Sequence, residues 1–177
     1  MVALALALSA ALVAAPPAGA GETLETDTFA LPLPDRWTRD LTTTPVSARG
    51  PAGEFLQISS STLKGEGTGV EATEVMRQVE DAATRSMRKV EADPTLTTVT
   101  PLRKRPLASG GTLHEMLSRT RDGSALFAQF CAAGPHTVVL VTVQLPATAA
   151  RSVDVIRQSV LRLRWASDVA GAPPRQP

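Results

Sequence analysis

Residues 137–143 constrain the fold more than any other part of this sequence. The run reads TVVLVTV and is apolar almost throughout. A strand with one face in water alternates apolar and polar side chains, whereas a continuous apolar run is typical of a strand that is covered on both faces. We therefore expect this strand, which extends to residue 145, at the centre of a sheet.

Several other segments have strand-like patterns. In residues 54–61, Phe55 and Gln57 would face one side of a sheet while Leu56 and Ile58 face the other. The full set of further predicted strands is 23–30, 95–103, 112–119 and 125–132, together with 54–61.

Proline and glycine residues indicate where these strands end. The prolines at 32 and 34 predict a turn within residues 31–37, after which a further strand begins. Asp122-Gly123 predicts a hairpin between the strands at 112–119 and 125–132. Gly134-Pro135 separates the latter from the central strand. The glycine-rich loop at 64–69 lacks the sequence signature of a phosphate-binding loop, and we expect it to be flexible and exposed.

Two segments have helical periodicity. Residues 75–90 form the clearer one, which should end before Asp93-Pro94, and the second covers residues 148–163. The apolar stripe of the first helix comprises Val75, Met76, Val79, Ala83, Met87 and Val90. Strands, a long helix, more strands and a final helix predict an α+β domain, in which two helices cover a mainly antiparallel sheet of about six or seven strands.

The ends of the chain differ from the rest. Residues 1–20 carry no charged side chain and include an apolar run too short to cross a bilayer, which predicts a signal peptide cleaved near Ala20. We expect one folded domain at 21–167, a disordered Pro-rich tail at 168–177, and an extracytoplasmic protein, periplasmic or secreted, with no transmembrane segment after cleavage.

Composition excludes some classes of partner and chemistry. The net charge of +1, the four phenylalanines and two tryptophans, and the absence of tyrosine argue against nucleic-acid binding. Cys131 is the single cysteine, so no internal disulfide can form, and its apolar neighbourhood predicts a buried thiol.

The sequence contains few residues that could form a catalytic or metal site. Two histidines, His114 and His136, are too few for a zinc site without a cysteine pair, and no cofactor motif is present. A serine hydrolase could be imagined from Ser124, His114 and Asp122. The preference of Asp and Ser for a hairpin turn is the better explanation of Asp122 and Ser124. Cys131 and His136 could approach each other, but nothing evident would activate the thiol.

Two stretches resemble the Mog1/PsbP-like superfamily. They are TFALPLPDRW at 28–37 and IRQSVLRLRW at 156–165, in an element order similar to that of the family. The resemblance implies an α/β/α sandwich over about residues 27–165. It also implies a non-enzymatic binding or assembly factor, with no catalytic residues to carry over.

A candidate interaction surface follows from the few clusters that remain. Arg103-Lys104-Arg105 is the densest basic run, with two further arginines near it in sequence, and it could attract anionic lipid, cell-wall polymer or an acidic protein. Lysine and arginine also protect a sheet edge from unwanted pairing, and a tryptophan can equally anchor the core. The candidate residues are Trp37, Arg103, Lys104, Arg105, Arg119 and Arg121.

These observations lead to a hypothesis about function. The chain is expected to be an exported, non-enzymatic binding or accessory protein of the cell envelope, whose partner is another envelope protein. The alternatives are a carrier of a small ligand or lipid with an apolar pocket between helix and sheet, and an envelope hydrolase that uses His114 or Cys131.

Overall fold

The computed structural model describes residues 21–40, 42–63 and 72–166. The predicted signal peptide at 1–20, the glycine-rich loop at 64–69 and the predicted tail at 168–177 lie outside the described residues. Among the residues described, no helix is both long enough and apolar enough to cross a membrane.

The described residues form two sheets and two helices. The strands are β1 (Thr23–Glu25), β2 (Phe29–Pro32), β3 (Thr38–Asp40), β4 (Val46–Arg49), β5 (Phe55–Thr62), β6 (Leu96–Pro106), β7 (Thr112–Thr120), β8 (Ala125–Ala133), β9 (Thr137–Pro146) and β10 (Arg164–Trp165). The helices are α1 (Ala72–Glu91) and α2 (Ser152–Leu161). The larger sheet is antiparallel with the order β3-β4-β5-β9-β8-β7-β6, and the smaller has the order β1-β2-β10.

The apolar run identified in the sequence is the middle strand of the larger sheet. β9 lies fourth of seven, between β5 and β8. Val139, Val141 and Val143 on one side of this strand are fully buried, and Val138 on the other side is 9% exposed. The prediction of a central strand is confirmed, but its cover is complete only on one face, because on the other face Leu140 and Thr142 are half-buried and Gln144 is exposed.

Helix α1 covers one face of the sheet over β7 and β8. Val79, Ala83 and Met87 are fully buried and pack against Met116 of β7 and Cys131 of β8. Burying a valine or methionine side chain contributes about 1.5–3 kcal/mol. The three- and four-residue spacing therefore identified the buried face of α1, except that Met76, which was assigned to the same stripe, is 45% exposed.

Helix α2 and the small sheet cover the opposite face. Ile156 and Val160 of α2 join Phe29 of β2 and Phe130 of β8 in the main core. Because side chains alternate along β8, Phe130 points to this layer while Cys131 points to α1. The chain is thus an α+β domain with a seven-stranded antiparallel sheet between two helices, as predicted.

Some boundaries and one layer were predicted wrongly. Residues 31–32 belong to β2 rather than to a turn, since Pro32 at the strand end needs no N–H for the ladder. The second helix occupies Ser152–Leu161 instead of 148–163, because a 3₁₀ turn at Ala147–Ala149 precedes it. The chain then extends into β10, where Trp165 pairs with Phe29. The small sheet that joins the two ends of the domain was not predicted.

Candidate functional site

The basic run at 103–105 is divided between the two faces of edge strand β6. Lys104 pairs with His114 in register and faces α1, where its Nζ donates to Glu80 Oε1 at 2.6 Å. Arg105 faces the α2 side, and its Nε donates to Glu115 Oε1 at 2.7 Å. The three side chains therefore do not form one patch.

Two of the other predicted arginines lie near the same edge of the sheet as Arg103, farther along it. Arg103 pairs with Glu115, and Arg119 lies four residues farther along β7 on the same face, about 14 Å from Glu115 for a strand rise of about 3.4 Å. Arg121 follows in the turn after β7, and all three arginines are exposed. We refer to Arg103, Arg105, Arg119 and Arg121 as the arginine edge.

Glu115 joins the arginine edge to helix α2. Its side chain is 5% exposed and accepts one hydrogen bond from Arg105 and another, at 2.6 Å, from Arg157 Nε of α2. Burial alone would raise the pKa of Glu115, but these two guanidinium groups hold that pKa below its usual value. The carboxylate thus stays charged and holds one member of the arginine edge in a defined position.

The structure places Trp37 away from the arginine edge. Trp37 precedes β3, which forms the opposite edge of the sheet from β6, and it is 7% exposed within the main core. Its ring also lines a cleft of about 270 Å³ beside Glu54 and Ser152. Trp37 therefore anchors the core and shares no surface with the predicted arginines.

The residues considered for catalysis on β7 and β8 are inaccessible. His114 and Cys131 are paired in register and are both fully buried under α1. His114 Nε2 lies 3.0 Å from Glu80 Oε1, and neither imidazole nitrogen makes a well-aligned hydrogen bond within the described residues. Burial, assisted by the negative charge of Glu80, raises the pKa of Cys131 to about 12, so the thiol stays protonated.

The serine considered for hydrolysis lies far from its possible base. Ser124 Oγ donates to Asp122 Oδ1 at 2.8 Å, which is the turn interaction predicted from the sequence. Cys131 lies opposite His114, and Ser124 is seven residues from Cys131 along β8, or about 24 Å. No triad can form. In residues 21–40, 42–63 and 72–166, no three metal-ligating side chains gather either.

The carrier alternative placed a pocket between helix and sheet without assigning residues to it, and a cleft does open at the carboxyl end of α1. The cleft has a volume of about 400 Å³ and lies between the end of the helix and the part of the sheet that α1 leaves uncovered. Phe127, Gln129 and Thr142 line its floor. The signal available in the sequence was one amide, Gln129, within the otherwise apolar run of β8.

Comparisons with known proteins add one structural likeness. No protein-family model matches the chain, and no curated protein matches it. A matching solved structure is the solution structure of cyanobacterial PsbP (CyanoP) from Synechocystis sp. PCC 6803, which is 14% identical. The match covers 87% of this chain and 98% of that one, with a TM-score of 0.49. Because the identity and the TM-score are both low, the fold class rests on the sheets and helices of this chain.

Proposed function

We propose that the chain is an exported, non-enzymatic binding or accessory protein of the cell envelope, and that its arginine edge docks an acidic segment of another envelope protein. The observation that carries this proposal is the exposure of Arg103, Arg119 and Arg121 along one edge of the sheet. The uncharged apolar segment at 1–20 supports export.

The inaccessibility of the reactive side chains supports a binding role over catalysis. A nucleophile or general base must come within hydrogen-bond reach of its substrate. His114 and Cys131 have no exposed surface, and Ser124 has no base beside it. The hydrolase alternative therefore has no side-chain constellation among the described residues to support it.

The geometry of the arginine edge suits an extended acidic segment. Two carboxylates four residues apart on a strand are separated by about 14 Å, which matches the spacing of Arg103 and Arg119 along the strand direction. Guanidinium groups bind carboxylates through two parallel hydrogen bonds. Arg105 is already paired with Glu115, so Arg103 and Arg119 are the arginines of this edge without a carboxylate partner among the described residues.

In-cell crosslinking with matched charge variants tests this proposal. The double variant Arg103→Glu/Arg119→Glu reverses the charge at two positions of the arginine edge. The control Arg85→Glu/Arg88→Glu makes the same change in charge at exposed positions of α1. We expect the wild type and the α1 variant to capture one dominant envelope protein, on a chain that begins at Gly21. The edge variant should lose that capture.

Equal capture by both double variants would contradict the docking surface. Recovery of the uncleaved chain from the cytoplasm would contradict export. Sustained turnover of an envelope substrate by the purified chain would contradict the non-enzymatic role, so the three parts of the proposal fail separately.

A further inference from the structure

The cleft at the carboxyl end of α1 has the features of a small-ligand site. Its volume of about 400 Å³ lies within the range of about 300–1,000 Å³ that is usual for such sites. Lys89 of α1 and Asp93 in the turn after α1 contribute charges of opposite sign to its wall, and Phe127, Gln129 and Thr142 form the floor. The balance of charge favours a neutral ligand.

Gln129 is the residue that points to a ligand. It is 6% exposed and lines the cleft, yet its Oε1 accepts no hydrogen bond from the part of the chain that the structure describes. A buried amide oxygen without a donor destabilises the fold, because it has lost its bonds to water and gained none. Neither cross-strand neighbour satisfies this oxygen, since Met116 on one side is apolar and Thr142 on the other donates no hydrogen bond to it. A donor supplied by a ligand in the cleft would satisfy this oxygen.

The neighbours of Gln129 define the chemistry of that ligand. Thr142 lies directly opposite Gln129 in register, and its hydroxyl can both donate and accept. Phe127 precedes Gln129 by two residues on β8, so its half-buried ring lies on the same face. An acceptor, a hydroxyl and an aromatic ring suit a molecule that has hydroxyl groups at its rim and an apolar face.

We infer that this cleft binds one or two residues of a neutral saccharide. The apolar face of a pyranose ring packs against Phe127, and Thr142 exchanges a hydrogen bond with the sugar. Oε1 of Gln129 is enclosed in the free protein, and a rotation of this side chain on binding brings the oxygen to a ring hydroxyl. This site lies on the α1 side of the sheet, whereas Arg103 and Arg119 face the α2 side. The inference therefore does not depend on the arginine edge.

NMR titration of the isotope-labelled chain tests the site with defined probes. Two sugars are titrated separately to about 20 mM: maltotriose, and the β-1,4-linked trimer of N-acetylglucosamine. A Glu-rich peptide serves as the comparison. We expect at least one trisaccharide to shift the backbone signals of Phe127, Gln129 and Thr142, while the acidic peptide leaves them unchanged.

The variant Gln129→Leu separates a binding role from a structural one. We expect it to weaken saccharide binding about five- to tenfold, the equivalent of one lost neutral hydrogen bond, while the thermal midpoint stays the same or rises. Gln158→Leu, at an exposed position of α2, should change neither quantity.

Three results would overturn the inference. The first is the absence of any shift at the cleft with both sugars, and the second is peptide binding in the cleft in their place. The third is unchanged sugar affinity in Gln129→Leu, which would show that the amide plays no part in binding.

Discussion

Replacing Glu115 by glutamine should destabilise the domain by about 2–3 kcal/mol at pH 7. Glutamine keeps the size of the side chain but offers one oxygen, while its amide group directs N–H donors at an arginine that also donates. A hydrogen bond to a charged group contributes about 1.5–3 kcal/mol. The contact with Arg157, whose side chain is 24% exposed, should account for most of the loss. Arg105, at 45% exposed, adds about 0–1 kcal/mol.

Urea denaturation followed by tryptophan fluorescence measures this loss, because Trp37 and Trp165 are both buried in the fold. The exposed carboxylate Glu25 provides the matched control, and Glu25→Gln should change the free energy of unfolding by less than about 0.5 kcal/mol. A double-mutant cycle should give a larger coupling energy for Glu115 with Arg157→Met than with Arg105→Met.

The dependence on pH provides a second check. The pKa of Glu115 is lower in the folded protein than in the unfolded chain, so its charged form stabilises the fold above the unfolded pKa of about 4.3. That contribution is lost as the pH falls through the folded pKa. The difference between wild type and Glu115→Gln should therefore shrink below about pH 4. A loss under 1 kcal/mol at pH 7, or one that does not change between pH 7 and pH 3, would refute this reasoning.

Two further predictions concern the α1 layer. Cys131, which burial keeps protonated with a pKa of about 12, should resist iodoacetamide in the native protein at pH 8 and react fully in guanidinium chloride; rapid native labelling would disprove its burial. Met87→Ala should lower the free energy of unfolding by about 2–5 kcal/mol in urea titrations, because Met87 is fully buried. The control Met76→Ala, at a residue that is 45% exposed, should cost less than about 1 kcal/mol, and equal losses would show that the helix face is wrongly assigned.

Much of the fold could be predicted because its signals are local. The apolar run of β9, the alternation in β5 and the helical stripe of α1 each lie within one segment, and each period reports which side chains share a face. The Asp122-Gly123 hairpin likewise depends on the conformational preferences of adjacent residues. The small sheet was missed because β10 has two residues and is stable only beside β2, which lies more than a hundred positions earlier in the chain.

The candidate site was predictable only in part. The sequence marked Arg103, Arg119 and Arg121, and all three are exposed near one edge of the sheet. The sequence could not show that Lys104 points away from Arg103 and Arg105, because the carboxylate that binds Lys104 is Glu80, on α1. Whether these arginines bind a partner stays a prediction.

The sequence by itself determined the α+β class, the central strand and most of the face that α1 buries, because these depend on periodicity within a segment. Only the tertiary structure decided that Trp37 is buried, that Glu115 holds Arg105 and Arg157, and that Gln129 lines a cleft. Those outcomes depend on register and packing between segments far apart in the chain, where a shift of one residue would turn each side chain to the opposite face.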